Sequence, residues 1–263
     1  RTKVLIKMVR GFINTAMGKN LRKVLYPRGG MSRLCNALAA EFEQMGGSIV
    51  FDAADVRLVA EGNRIRRVLF KDQAIENPEH LIWTGSIHEL AGQMGISMPD
   101  LPLIKIILGF IKTNRKLPLP PYLYTYYAQP DIVFNRAYFP RLISADLVPE
   151  GADAICVEIS PQGKNGDTLD EAGYKNAIFE GLEKAGLCSR EEVLDISLME
   201  VPEAYPVYPL DYYDKLQSLW KEVRAFENLW SIGRSAQFYY NNMARAMGVS
   251  LDLVDHLTRS EGS

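Results

Sequence analysis

The sequence has few of the residues that build metal centres and disulfide frameworks. It contains three cysteines and three histidines among 263 residues. Cys35, Cys156 and Cys188 are widely spaced, form no Cys-x-x-Cys pair and are odd in number, so we expect neither a metal site nor a disulfide framework. This cysteine usage is typical of a reducing compartment, which predicts a cytoplasmic protein.

Long apolar runs and an excess of one charge are also lacking. No apolar segment reaches the roughly 20 residues that span a bilayer, and no segment has the pattern of a signal peptide. The net charge is −2, which gives no indication of nucleic-acid binding. Hydrophobic residues make up 47% of the chain, enough for the core of one large domain or two small ones.

The most informative stretch is the segment 231–248, which reads SIGRSAQFYYNNMARAMG. A glycine lets the backbone approach a ligand closely, and an arginine beside it can donate to two phosphate oxygens. The paired tyrosines offer flat apolar faces, and the helix predicted after them offers free N–H groups at its start. These features suit a large, flat, phosphorylated cofactor. The residues alone also allow a surface turn followed by a helix with buried aromatic side chains.

The spacing Gly-Arg-x-x-x-Phe-x-Tyr-x-Asn-Met over residues 233–243 resembles the C-terminal flavin motif of the flavin-dependent amine oxidase superfamily. Its most similar branches are protoporphyrinogen oxidase-like proteins and UDP-galactopyranose mutases. The resemblance implies FAD as cofactor, with Gly233 and Arg234 at the pyrophosphate and the Met243 amide facing the flavin pyrimidine ring. It implies the cofactor-binding residues Val56, Gly233, Arg234, Tyr240, Asn242 and Met243, among which Val56 would meet the adenine through its backbone.

A second segment resembles the same superfamily. It is Tyr-Pro-Arg-Gly-Gly-Met at 26–31, followed by a predicted helix over 32–45 and by Gly46-Gly47, which end the helix. The helical spacing predicts a buried side made of Leu34, Leu38, Phe42 and Met45. A tight turn that leads into a core helix is the alternative. Upstream, Lys3–Asn20 has the pattern of an amphipathic helix.

Short elements fill the rest of the first hundred residues. Strands are predicted at Ser48–Phe51, Val56–Ala60 and Ile65–Phe70, with a hairpin turn between the last two. His80–Trp83 resembles the strand that returns to the nucleotide-binding sheet of the superfamily, and Ile87–Met94 is a predicted short helix.

From residue 101 the pattern changes to that of an antiparallel sheet. Strands are predicted at residues 104–113, 122–127, 132–134, 137–144, 154–159 and 192–201. The resemblance implies a substrate-binding sheet here, in which Tyr124, Tyr126 and Arg136 face a small-molecule substrate. Glu158 is a further candidate, and a structural ion pair between Arg136 and Glu158 is the alternative.

A short strand is predicted at residues 229–232, and the remaining elements are predicted helices. They span residues 168–185, with Asp167 and Asp170 as candidates for the first turn, 211–226, 243–247 and 250–256. The predicted fold class is therefore α/β (α+β). It combines part of an FAD/NAD(P)-binding Rossmann-like domain, residues 1–100 and 211–263, with an antiparallel-sheet substrate domain, residues 101–210.

The strand, Gly-x-Gly-x-x-Gly turn and helix that open a complete enzyme of this superfamily do not occur in this sequence. We therefore expect a fragment of a longer protein, or a chain whose N-terminal half is supplied by another chain. The first functional hypothesis is an FAD-dependent oxidoreductase, for which no catalytic residue can be named. The second is a flavin-dependent UDP-sugar mutase-like enzyme of polysaccharide biosynthesis, with Arg136 and Arg141 as candidates for a substrate diphosphate. The third is a non-catalytic interaction domain, which the missing glycine motif supports.

Overall fold

The computed structural model describes residues 26–53, 55–161 and 169–260. Its α-helices are α1 (Ser32–Gln44), α2 (Ile87–Met94), α3 (Pro140–Ile143), α4 (Glu171–Lys184), α5 (Tyr212–Val223) and α6 (Met243–Ser260). Its strands are β1 (Arg57–Glu61), β2 (Arg64–Phe70), β3 (Gln73–Glu76), β4 (Leu81–Trp83), β5 (Leu103–Thr113), β6 (Tyr124–Tyr126), β7 (Arg136–Tyr138), β8 (Ala154–Ile159), β9 (Val193–Pro206) and β10 (Leu229–Ser231). The helix predicted at Lys3–Asn20 and the predicted role of Asp167 lie outside the described residues.

The predicted α/β class is confirmed, and the larger sheet is antiparallel as predicted. Its strand order is β6-β7-β8-β5-β9, and every neighbouring pair runs antiparallel. Alternate residues of β5 and β8 point to one face, where they form a core with α4. The buried members of this core include Ile107, Ile111, Ile155, Val157, Ile178 and Leu182.

A second core lies under the hairpin β1-β2-β3 and the parallel pair of β4 and β10. Helices α2 and α5 contribute Ile87, Leu90, Leu219 and Trp220 to it. Asn228, the buried residue before β10, joins the two small sheets. Its side-chain amide donates to the carbonyls of Ile65 and Pro78 at 3.0 and 2.8 Å, and its Oδ1 accepts from the Ile65 N–H at 2.9 Å.

The helix predicted at 32–45 forms, but the prediction of a buried face is wrong. Leu38, Phe42 and Met45 are exposed, and α1 has no buried residue. Helical spacing determines which side chains share a face, whereas burial requires a neighbouring element to cover that face. The strand predicted at Ser48–Phe51 is absent for a related reason, since a strand needs a hydrogen-bonding partner and none pairs with this segment in the described part of the chain.

Other boundaries differ for local reasons. Residues 132–134 form no strand and include a bend at 132–133. The segment predicted as one strand at 137–144 divides into β7 and α3, because Pro140 suits the first helical turn and not a strand. The last strand of the sheet continues to Pro206. The two predicted C-terminal helices are one helix, α6. A single glycine inside a helix costs only about 1 kcal/mol relative to alanine, so Gly248 does not end it. Asp170 caps α4 as predicted, accepting from the Gly173 N–H at 2.7 Å.

Within the described ranges, no helix is both long enough and apolar enough to cross a membrane.

Candidate functional site

The loop between β10 and α6, residues 232–242, carries the motif that the sequence singled out. Gly233 has φ +95°, a backbone conformation that side-chain-bearing residues rarely adopt. Phe238 also has a positive φ, +47°, and its side chain is buried in the second core. A bulky residue is seldom found in this conformation. The burial of Phe238 and the hydrogen bond from the Gln237 N–H to the Gly233 carbonyl at 3.0 Å both help to hold the loop in its shape.

The end of this loop forms the start of α6. The Asn242 Oδ1 accepts a hydrogen bond from the Arg245 N–H at 3.0 Å, which is the geometry of an N-cap residue. Met243 is then the first helical residue, as predicted. Amides of the first turn have no acceptor within their own helix, and they lie at the positive end of its dipole. The Met243 amide is therefore suited to an electron-rich ligand atom.

Arg234 is held between two aromatic rings. Its guanidinium carbon lies 4.9 Å from the ring centroid of Tyr205 and 4.5 Å from that of Tyr240. The guanidinium donates to the carbonyl of Ala204 at 2.6 Å and to that of Asn241 at 3.4 Å. An arginine has five N–H donors, so these two bonds use only part of its capacity.

A second cluster lies on the face of the large sheet opposite α4. Arg136 forms an ion pair with Glu158, its partner across β7 and β8, and their side chains are 16% and 11% exposed. Arg136 also donates to the hydroxyls of Tyr126 at 3.0 Å and Tyr205 at 3.2 Å. Its guanidinium carbon lies 4.6 Å from the ring centroid of Tyr138. The structure thus shows the Arg136–Glu158 ion pair and places it among aromatic rings.

The protonation states in this cluster follow from its contacts. Burial alone would lower the pKa of Arg136, but the hydrogen bonds to Glu158 and Tyr126 and the charge of Glu158 raise it overall, so Arg136 stays cationic. Burial and the charge of Glu158 raise the pKa of the Tyr205 phenol, and burial raises that of Tyr138. Both phenols therefore remain protonated and able to donate hydrogen bonds at neutral pH.

The face around this ion pair is unusually aromatic for the uncovered side of an antiparallel sheet, which is commonly polar. Tyr124 and Tyr126 are exposed on β6, and their rings meet edge to face with centroids 5.7 Å apart. Phe110 and Met199 are exposed on β5 and β9. A flat apolar face with one charged pair is suited to a ligand that has an apolar body and a polar group.

The predicted site residues fall into two groups and one separate position. Arg234 and Tyr240 are in contact at the loop, and Tyr126 and Arg136 are in contact on the sheet. Val56 lies just before β1 and packs against the same core as Phe238. The Val56 carbonyl accepts a hydrogen bond from the Gln93 Nε2 at 2.9 Å. The Gln93 side chain, on α2, therefore holds the backbone of Val56 in place.

Two residues of the site were missed by the sequence analysis. Tyr205 touches both groups, and the stretch Ala-Tyr-Pro-Val-Tyr at 204–208 is the signal that could have indicated it. Asn241 in the motif loop has a buried Nδ2 without a hydrogen-bond partner. A buried amide donor without an acceptor is rare in proteins, so this atom is suited to an acceptor on a bound group. The motif spacing assigned Asn242 to the cofactor site, and no sequence signal indicated Asn241.

A concavity of about 540 Å³ opens on another side of the motif loop. Its walls include Trp220 and Phe226 from α5 and the segment after it, Trp230 from β10, and Gln237 and Tyr239 from the loop. Its volume is within the range of small-molecule pockets. It is a separate feature from the surface around Arg234.

The fold places a parallel strand pair and a motif loop beside a large antiparallel sheet, and solved structures share this α/β fold. No protein-family model and no curated protein sequence matches the chain. A reduced UDP-galactopyranose mutase superposes with a TM-score of 0.70 at 16% identity, covering 82% of this chain and 48% of the mutase. A protein from Exiguobacterium sp. 255-15, assigned provisionally as a protoporphyrinogen oxidase, superposes with a TM-score of 0.62 at 13% identity, covering 85% of this chain and 51% of that protein. An oxidoreductase from Methanosarcina mazei gives a TM-score of 0.54 at 16% identity, covering 79% and 49%.

These likenesses confirm, at the level of the fold alone, the predicted similarity to UDP-galactopyranose mutases and protoporphyrinogen oxidase-like proteins. The chain spans about half the length of the solved structures it matches.

Proposed function

We propose that this chain is the C-terminal part of an FAD-dependent oxidoreductase. The observation that carries the proposal is the geometry of the loop 232–242. It combines a positive φ at Gly233, an arginine beside it and a capped helix that starts at Met243. The orphan amide of Asn241 supports a bound group with acceptor atoms at this loop.

When bound, FAD would supply the hydride chemistry. The residues of this chain would bind and orient it. Arg234 would donate its remaining N–H groups to the pyrophosphate, and Gly233 would let the backbone approach it. The Met243 amide, on the helix capped by Asn242, would stabilise negative charge on the flavin ring. Tyr240 would offer a flat face.

The substrate would be a small molecule bound on the open face of the large sheet. Tyr124 and Tyr126 would contact its apolar part, and Arg136 would orient a polar group. Because Glu158 already neutralises Arg136, the cluster favours hydrogen bonding to the substrate over binding of several negative charges. The free cysteines support a cytoplasmic location as part of this proposal.

The proposal includes a partner: the N-terminal dinucleotide-binding unit, supplied by the full-length protein or by another chain. The Leu81 N–H donates to Asn228, and the Trp83 carbonyl accepts from the Ile232 N–H, so both residues face β10. The N–H and C=O of Ile82, between them, then point to the opposite edge of β4. Within residues 26–53, 55–161 and 169–260, no strand pairs with that edge.

Two uncovered apolar surfaces support the same partner. Parallel sheets usually contain more than two strands. In the described residues the parallel sheet consists of β4 and β10 alone. Helix α6 exposes Met243, Met247, Leu251 and Val254 on one stripe, and α1 exposes Leu38 and Phe42, next to the exposed Met45 that follows the helix. A strand beside β4 followed by a helix would complete the sheet and cover apolar surface of this kind.

The mutase alternative is favoured by one observation, the TM-score of 0.70 to a UDP-galactopyranose mutase. The contacts of the two arginines predicted to bind a diphosphate weaken the mutase alternative. Arg141 pairs with the fully buried carboxylate of Asp153 and donates to the Leu117 carbonyl, which makes it a structural residue. Arg136 is paired with Glu158, so neither arginine is suited to carry a diphosphate by itself.

Titration of the purified chain with FAD, followed by the quenching of flavin fluorescence, tests the proposal. We expect saturable binding, and we expect Arg234→Ala to weaken it about tenfold or more, because charge-assisted bonds to a phosphate contribute roughly 1.5–3 kcal/mol. Arg190→Ala is the matched control, since Arg190 stacks on Phe179 at 4.4 Å but lies in the substrate domain near α4.

Unchanged affinity in Arg234→Ala would remove Arg234 from the cofactor site. If neither this chain nor a form extended by a glycine-rich βαβ unit binds FAD, the non-catalytic alternative replaces the enzyme proposal.

A further inference from the structure

Tyr205 is the residue that joins the two groups of the candidate site. Its hydroxyl accepts a hydrogen bond from Arg136 at 3.2 Å and donates to the Glu158 Oε1 at 3.1 Å. Its ring lies 4.9 Å from the guanidinium carbon of Arg234 and 5.5 Å from the ring centroid of Tyr240. Among the hydrogen bonds and ring contacts of the described residues, no other side chain meets both arginines.

We propose that Tyr205 is a positioning residue that couples the Arg136–Glu158 pair on the sheet to the Arg234 loop. The coupling itself is a property of this chain, and only the identity of the two ligands depends on the proposed function. A change at Arg136, such as a bound substrate, alters the hydrogen bonds of the Tyr205 hydroxyl. The ring then adjusts, and Arg234 follows because it stacks on that ring.

The backbone gives this coupling a rigid base. Ala204, the residue before Tyr205, accepts the shorter of the two hydrogen bonds from Arg234. Tyr205 itself belongs to β9 and pairs with Ile104 of β5. Ala204 therefore presents its carbonyl to Arg234, and Tyr205 presents its ring. Both residues belong to β9, which anchors them in the large sheet. With its backbone fixed, Tyr205 can transmit a change only through its hydroxyl and its ring.

A double-mutant cycle on the whole chain tests the coupling without any ligand. Urea unfolding is measured for Arg136→Met, Arg234→Met and the double variant. Each is measured once in the native background and once in the Tyr205→Phe background. Residues that share a partner interact, whereas independent residues have additive effects. In the native background we expect the effect of the double variant on the unfolding constant to differ from the product of the single effects by about threefold or more.

The Tyr205→Phe background separates coupling from packing. Phenylalanine keeps the ring on Arg234 and loses both hydroxyl bonds, so we expect the single effects to multiply there within about twofold. Tyr126→Phe is the matched control. It removes another hydroxyl that Arg136 donates to but leaves the path to Arg234 in place, so the coupling should survive. Arg136→Lys replaces Arg136→Met if the latter does not fold.

Multiplicative single effects in the native background overturn the proposal, and so does a coupling that persists in Tyr205→Phe. The same variants then give a functional readout. Arg136→Met should change the FAD dissociation constant about threefold or more in the native background and leave it unchanged in Tyr205→Phe. If no form binds FAD, the proposed function fails for this chain, while the unfolding cycle still decides whether Tyr205 couples the two arginines.

Discussion

At the scale of single residues, the candidate site depends on a carboxylate that is held from two sides. Glu158 receives the Arg136 guanidinium on one oxygen and the Tyr205 hydroxyl on the other. Both charged side chains are largely buried. Removing one charge from such a pair leaves the other buried without a partner, which costs more than the pair itself contributes.

We therefore expect Glu158→Gln to lower the free energy of unfolding by about 3 kcal/mol. Glutamine keeps the size of the side chain, so the loss would report the missing charge. Urea unfolding measures it. Glu171→Gln is the control, because the ion pair of Glu171 with Lys175 lies at the surface and exposed pairs contribute less than about 1 kcal/mol. Equal losses in the two variants would contradict the idea that Glu158→Gln leaves Arg136 as a buried charge without a partner.

At the scale of elements, Gly248 in α6 and Gly109 in β5 differ in how much space surrounds them. A Cβ added to Gly248 meets no atom within 4 Å, and the residue lies inside the continuous helix α6. A Cβ added to Gly109 would lie 2.8 Å from the Ile178 side chain and 2.9 Å from that of Val157. Gly109 is thus needed for α4 to pack against the sheet, whereas Gly248 only lowers helix stability.

Gly248→Ala should accordingly stabilise the chain by up to about 1 kcal/mol, and Gly109→Ala should destabilise it by about 1–3 kcal/mol. Thermal unfolding of both variants measures the difference. The effect of Gly248→Ala also tests whether α6 is one continuous helix. If the chain had two helices with a break at Gly248, as the sequence pattern indicated, alanine there would give no gain or a loss.

At the scale of the whole molecule, the sequence predicted what local patterns determine. The strands β5 and β8, the cap at Asp170 and the helix start at Met243 are encoded within a few residues, and each is present. The contacts of Tyr205 and the exposure of the α1 face depend on segments far apart in the chain. Periodicity along one element carries no information about which other element will meet it, so these features required the structure.

The apolar stripe of α6 is the whole-molecule feature most open to test. Leu251 and Leu253 lie two residues apart on the same helix, and their exposures are 67% and 8%. Because burial determines the cost of truncation, Leu253→Ala should lower the free energy of unfolding by about 2–4 kcal/mol. Leu251→Ala should change it by less than about 0.5 kcal/mol.

The partner proposal adds an expectation for the same pair. When a glycine-rich βαβ unit is joined to this chain or added to it, the stripe would become an internal interface. Leu251→Ala should then become destabilising by about 1 kcal/mol or more, while the cost of Leu253→Ala stays the same, because only the first side chain changes its surroundings. Urea unfolding of both variants in both forms gives the comparison. A Leu251 effect that is equally small in both forms would mean that the βαβ unit leaves the stripe uncovered, and the docking part of the proposal would be withdrawn.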